Sequence, residues 1–357
     1  MKRIRSKNYS VPGLLKSIIK FIVFLLLGVG LLYWVFRSQD ISYQAYCATH
    51  QIAPEDCILW KKMLKDFLSV KWIYIVFIFI AFFLSNYFRS LRWYLLLDPL
   101  GYKPHWINSL GAVLVSYLVN LGIPRSGEFV RAAVLSKYEK IPLDKAFGTV
   151  VLDRLVDMIS MFIIICFTIL LQLPTFSKFY NDQLAQLPLV QKLIIPGLLI
   201  LIILILWFTR NTWRKYPIVR TVKSKIQGFY EGLMVIKKIK QPRAFFFYTI
   251  SIWFWFYVML VCALKSFEPT SHISLASSLV IYVFGSLGMI VPTPGGMGSY
   301  HYLVILALAY YNIPPGDAFS FANISFFTAQ FANNIILGII GLISMYFFNK
   351  NYQPKHI

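Results

Sequence analysis

Two apolar stretches of this chain are interrupted by proline and glycine at matching places in its two halves, and no other feature restricts the fold so tightly. Residues 106–136 break at Gly122-Ile123-Pro124-Arg125-Ser126-Gly127, and residues 275–311 break at Pro292-Thr293-Pro294-Gly295-Gly296-Met297-Gly298. Inside a bilayer, backbone that leaves the helix must find its partners in protein or in a watery cavity. Paired breaks of this kind point to the binding site of many transporters. The pattern predicts a mover of something polar across a membrane.

Composition supports the setting. Of 357 residues, 58% are hydrophobic and 14% charged, against about 25% charged in a soluble domain. The formal net charge of +21 raises the possibility of nucleic acid, but the basic residues cluster between apolar spans. Such clusters fit an anionic leaflet, and no nucleic-acid-binding module accompanies them. The N-terminus is basic and precedes an apolar run. Arg37-Ser38-Gln39-Asp40 follows that run in place of a small-residue cleavage site, so an uncleaved first span is expected.

Six segments approach the length needed to cross, about 20 residues: 14–36, 72–87, 147–173, 193–208, 245–264 and 319–348. Residues 210–243 hold ten Lys or Arg against the single acid Glu231, which makes that loop cytoplasmic by the positive-inside rule. The basic N-terminus lies on the same side. Counting spans between these anchors leaves each broken segment beginning and ending on one face. The expected fold is therefore an all-α polytopic membrane protein of about six full spans plus two re-entrant hairpins, inserted from opposite faces. Residues 14–173 and 191–348 form its two half-repeats, related by inverted topology. The alternative is eight or more full crossings, each broken segment supplying two short tilted ones.

Ionisable residues at membrane depth are costly, so each is a candidate for function. Arg89 and Arg92 share one helix face near the predicted cytoplasmic surface, as interfacial anchors beside Trp93 or as phosphate donors. Arg125, Glu128 and Arg131, three apart, lie on one face of the short helix after the first break, whose N-terminus favours anions. Asp153, Arg154 and Asp157 open the third full span with an excess of acid. Arg125 or Arg131 is the expected partner, pinning the hairpin to that span. The second break offers Thr293, Gly295, Gly296, Gly298 and His301, the last as a proton relay or a structural hydrogen-bonder. Asn323, Gln330, Asn333 and Asn334 add polar groups that glue helices together. Cys47 and Cys57 fall between the first two spans, outside by this topology. A disulfide and two free thiols both remain open there.

Arg89-x-x-Arg92-Trp93, Asn120-x-x-x-Pro124-x-x-Gly127-Glu128-x-x-Arg131, Asp153-Arg154-x-x-Asp157 and Pro294-Gly295-Gly296-Met297-Gly298 occur in that order. Together they resemble the lysylphosphatidylglycerol synthase transmembrane-region family of flippase-like membrane proteins, over roughly residues 89–344. The resemblance implies a bacterial inner-membrane protein related to the domain that flips aminoacylated phospholipid. It also adds Asn120 to the candidate substrate-binding residues. Bifunctional members carry a soluble aminoacyl-transfer domain after the membrane region. This sequence ends at Ile357, so synthase activity is not carried over. Many relatives have an acid shortly after the Pro-Gly-Gly-x-Gly turn, where this chain has His301.

The expected function is translocation of a phospholipid or polyprenyl phosphate between leaflets, with N- and C-termini cytoplasmic. No P-loop, nucleophile–base pair or metal-ligand cluster is recognisable, so no cofactor, metal or enzymatic activity is expected. Two alternatives stand beside it. One is an accessory subunit for envelope lipid or glycan synthesis whose basic loop docks a cytoplasmic enzyme. The other is a membrane-embedded lipid-phosphate enzyme using the arginines and His301.

Overall fold

The computed structural model describes residues 11–185 and 239–354, apart from residues 54, 56, 124 and 292. The predicted span 193–208 and most of the basic loop 210–243 lie outside these residues. The described residues form helices joined by short turns: α1 (Val11–Thr49), α2 (Leu59–Leu68), α3 (Trp72–Leu97), α4 (Trp106–Gly122), α5 (Gly127–Glu139), α6 (Leu143–Leu171) and α7 (Leu173–Phe179). After the undescribed stretch come α8 (Pro242–Ser266), α9 (Leu275–Gly288), α10 (Ser299–Ala309), α11 (Pro315–Ser325) and α12 (Asn333–Phe348). Four described segments are long and apolar enough to cross a membrane: α3 with the turn that follows it, α6, α8, and α11 running through a π-helical stretch into α12. The protein is an all-α polytopic membrane protein.

Helix α1 contains the predicted first span but continues to Thr49, so Cys47 sits in its last turn rather than in a loop. Cys47 and Cys57 are joined by a disulfide. Close by, Lys62 of α2 pairs with Asp317 at the start of α11 (2.6 Å), and Lys71 before α3 pairs with Glu268 after α8 (2.5 Å). These contacts define a disulfide end of the bundle. At the opposite, tail end, Lys240 reaches Asp98 (3.1 Å) and Asn349 exchanges amide hydrogen bonds with Asn108.

The long helices α3 and α8 lie side by side at the centre, where the Ser85 hydroxyl donates to the Ile252 carbonyl (3.0 Å). Against them pack two hairpins. The backbone N–H of His105, before α4, donates to Glu139 at the end of α5 (3.0 Å), so the first hairpin opens at the tail end. The second, α9–α10, is bounded by Glu268 and Asp317 and opens at the disulfide end. Their closed ends meet: Arg125 Nη2 donates to the Ile290 carbonyl at 2.8 Å, and Leu121 lies against Gly295.

That meeting decides between hairpins and full crossings. Helices of 17 and 14 residues, α4 and α9, extend about 25 and 21 Å at the α-helical rise. Two tips coming from opposite ends touch only if each turns back within the bundle. Both hairpins are thus re-entrant, and α3, α4–α5, α6 find inverted counterparts in α8, α9–α10, α11–α12.

Glycine makes the turns possible. A Cβ on Gly127 would lie 2.2 Å from the Ser116 carbonyl oxygen of the other arm, so only glycine lets α5 fold back on α4. In the second hairpin Gly288 does the equivalent, its absent Cβ 2.7 Å from Tyr300 Cα.

Candidate functional site

Helix α3 carries Arg89 and Arg92 away from any surface. They are 2% and 0% exposed, buried against α6. Arg92 uses Nε and Nη2 on Asp153 Oδ1 (2.8 and 2.6 Å) and Nη2 again on Asp157 Oδ1 (2.6 Å). Arg89 donates to Asp157 Oδ2. From the first hairpin, Arg131 Nη1 reaches Asp153 Oδ2 at 2.7 Å, and its guanidinium lies 4.0 Å over the Trp93 ring. The Trp93 indole N–H donates to Thr149 (2.9 Å), which fixes the ring. Three arginines thus face two carboxylates, leaving one positive charge in excess, moderated by the electron-rich face of Trp93.

Arg154, half-buried on the same helix, links this network to open space. It pairs with Asp157 (3.2 Å) on one side and with Glu128 of α5 (3.2 Å) on the other. Beyond Glu128 lies a cavity of about 370 Å³ formed where the two hairpin tips meet the last span. Tyr117, Asn120, Leu121, Arg125 and Glu128 line it from the first hairpin, and Met289, Ile290, Val291, Thr293, Gly295 and Gly296 from the second. Gln330 and Asn334 close it from the last span. Gln330 belongs to the π-helical stretch Phe326–Ala332, a departure from the α-helix that is frequent at functional sites.

Several lining groups await a partner. The Thr293 hydroxyl, Asn334 Oδ1 and Glu128 Oε2 are buried atoms without a hydrogen-bond partner among the described residues. Arg125 and Arg154 outnumber Glu128, so this cavity also carries net positive charge.

The residues singled out from sequence fall into three groups. Arg89, Arg92, Arg131, Asp153 and Asp157 form the buried network; the two α3 arginines are neither interfacial anchors nor open to a ligand in this conformation. Of the expected partners for the acids, Arg131 makes the pairing and Arg125 does not. Asn120, Arg125, Glu128, Arg154, Thr293, Gly295 and Gly296 line the cavity. Gly298 and His301 lie off it. Gly298 packs on Leu31 of α1, and buried His301 faces Phe326 (4.7 Å between ring centroids) while accepting from the Gly298 N–H (3.4 Å). The N-terminus of α5 is not a free anion site, because the Gly127 N–H donates to Asn120 Oδ1 (2.7 Å).

Tyr117 was not apparent from sequence, although it sits three residues before Asn120 on α4 and so shares its face. Gln330 and Asn334 read as helix glue and instead face the cavity, four residues apart across the π-helical stretch.

The family model described as the lysylphosphatidylglycerol synthase TM region matches residues 57–349, a stretch that includes both hairpins, the buried network and the cavity. The chain belongs to this family. The UPF0104 membrane protein MJ1595 of Methanocaldococcus jannaschii is 24% identical to it over 309 residues, covering 82% of this chain and 90% of that protein. No solved structure matches significantly. As a member of the lysylphosphatidylglycerol synthase TM-region family, the chain is a membrane protein whose matched region holds every residue of the site above.

Proposed function

We propose that this protein translocates a lipid phosphate between the leaflets of a bacterial inner membrane. The observation that carries the proposal is the polar, net-positive cavity held at membrane depth by two opposed hairpin tips. A phosphate taken from either leaflet meets Arg125 and Arg154 there, and guanidinium groups match phosphate oxygens in charge and shape. A second cavity of about 580 Å³ between α6, α8 and α9 is lined almost wholly by apolar side chains, among them Ile163, Phe167, Phe246 and Trp253. That arrangement suits a lipid whose headgroup enters protein while its chains remain among hydrocarbon.

The reading involves no covalent step and no cofactor, and its partners are membrane lipids. Both termini are cytoplasmic in it, because the ten basic residues of 210–243 favour the side of anionic lipid and excess Lys and Arg. The disulfide then faces the envelope, where oxidising conditions sustain it.

Leaflet exchange of fluorescent phospholipids and polyprenyl phosphates in proteoliposomes tests this. Wild-type protein is expected to accelerate exchange, and Arg125→Ala and Arg154→Gln to slow it while the ion pairs of Asp153 with Arg92 and Arg131 stay in place. Absence of exchange for every lipid, in protein that unfolds cooperatively, overturns translocation.

A further inference from the structure

The lining of the cavity specifies more than a phosphate. Beyond its two arginines it presents the side-chain amides of Asn120, Gln330 and Asn334 and the hydroxyl of Thr293. Thr293 is 3% and Asn334 4% exposed, yet the Thr293 hydroxyl and Asn334 Oδ1 have no partner among the described residues. Buried polar atoms left in that state cost free energy that a ligand recovers.

Three headgroup chemistries meet this lining differently. A bare phosphate satisfies the arginines and can accept from the Thr293 hydroxyl, but as an acceptor it leaves Asn334 Oδ1 unpaired. An ammonium can only donate and enters a cavity where two arginines oppose one carboxylate, itself already held by Arg154 at 3.2 Å. A hydroxyl both donates and accepts, as an amide does, so neighbouring hydroxyls match the amides and Thr293 without adding charge. We infer that the ligand of this cavity is a phosphate ester of a polyol, a glycerol or sugar headgroup, in preference to an aminated headgroup or a phosphate monoester. The inference rests on the translocation proposal for the route of the ligand, and on the cavity alone for its chemistry.

The test uses the full chain in proteoliposomes with four fluorescent lipids: phosphatidylglycerol, a polyprenyl phosphohexose, lysylphosphatidylglycerol and phosphatidic acid. At least one of the two polyol lipids is expected to exchange about tenfold faster than the last two, the worth of roughly one net hydrogen bond. Which of the two does so separates a glycerol from a sugar. Thr293→Val and Asn334→Leu are each expected to remove that preference, and Asn334→Asp to shift it towards lysylphosphatidylglycerol. Lysylphosphatidylglycerol or phosphatidic acid exchanging as fast as both polyol lipids overturns the inference and leaves translocation standing.

A second measurement covers the case in which no lipid exchanges. Soluble glycerophosphoglycerol is expected to raise the unfolding temperature of wild type but not of Asn334→Leu, and glycerophosphoethanolamine to raise neither. That result with no exchange retains the polyol site and removes the translocator. No stabilisation together with no exchange removes both.

Discussion

Arg125, at the tip of the first hairpin, donates from Nη2 to the backbone carbonyl of Ile290 at the tip of the second, 2.8 Å away. Arg125 holds a left-handed backbone conformation with φ 62°, which costs a non-glycine residue about 1–2 kcal/mol. The same guanidinium lines the cavity, so an anion there competes with a neutral carbonyl for it, and charge-assisted bonds are the stronger. Spin labels at Ile123→Cys and Val291→Cys are expected to give a narrow distance distribution in wild type and a broad one after Arg125→Ala. Equal widths would show that other contacts hold the tips together.

Asp153 is the hub of the buried network, in contact with Arg89, Arg92 and Arg131. Its removal strands positive charge in the interior, and breaking such a pair costs about 3–5 kcal/mol. Asp153→Ala is therefore expected to lower thermal stability in detergent far more than Glu128→Gln. Glu128 is 28% exposed at its side chain, and its loss is expected to cost less than about 1 kcal/mol.

Gly127→Ala forces a methyl group against the Ser116 carbonyl. Overpacking of this kind costs about 1–3 kcal/mol and pries the first hairpin open. Gly122→Ala, five residues before the start of α5 and with open space at its Cβ, is the matched control. It is expected to leave the unfolding temperature unchanged or slightly raised, since alanine favours the helix.

The disulfide between Cys47 and Cys57 closes a loop of sequence separation 10, for which chain entropy predicts roughly 2–3 kcal/mol of stabilisation. Cys47→Ser is expected to lower stability by about that amount. Non-reducing peptide mapping should recover the two segments joined. Alkylation of both thiols without reductant would show the bridge to be absent.

At the tail end, Tyr352 donates to Glu139 Oε2 (3.1 Å), while Glu139 Oε1 accepts from the first hairpin through Asn108 (2.6 Å). Partial burial, followed by the neighbouring Glu139 carboxylate, pushes the Tyr352 hydroxyl up to about 12. A raised value means the folded state holds its proton longer than the unfolded chain, whose tyrosines ionise near 10. The contact's contribution is thus fully present below pH 10 and lost as pH rises through 12. A difference titration of tyrosinate absorbance between wild type and Tyr352→Phe should show one late-titrating group.

Much of the fold was legible because lipid removes alternatives. Backbone that cannot hydrogen-bond to solvent must be helical or sheltered, so apolar runs with their Pro and Gly breaks already implied helical spans and two sheltered turns. The candidate site was less legible. Arg89, Arg92, Glu128 and Asp157 are similar in sequence, each an ionisable residue in an apolar surrounding. Helix packing alone separates buried partners from cavity lining.

The sequence by itself determined the membrane setting, the two helix breaks and the set of charges that had to be compensated, because these follow from local hydropathy and backbone chemistry. The contact between the two tips decided that each break is a re-entrant turn. Tertiary structure decided which charges compensate one another. Asp153 pairs with Arg131 rather than Arg125, and Arg125 instead bridges to Ile290. It also decided that His301 packs away from the cavity while Gln330 and Asn334 face it. Those outcomes depend on the rotation and depth of helices far apart in the chain, which are set by close packing between their side chains and leave no local trace in the residues themselves.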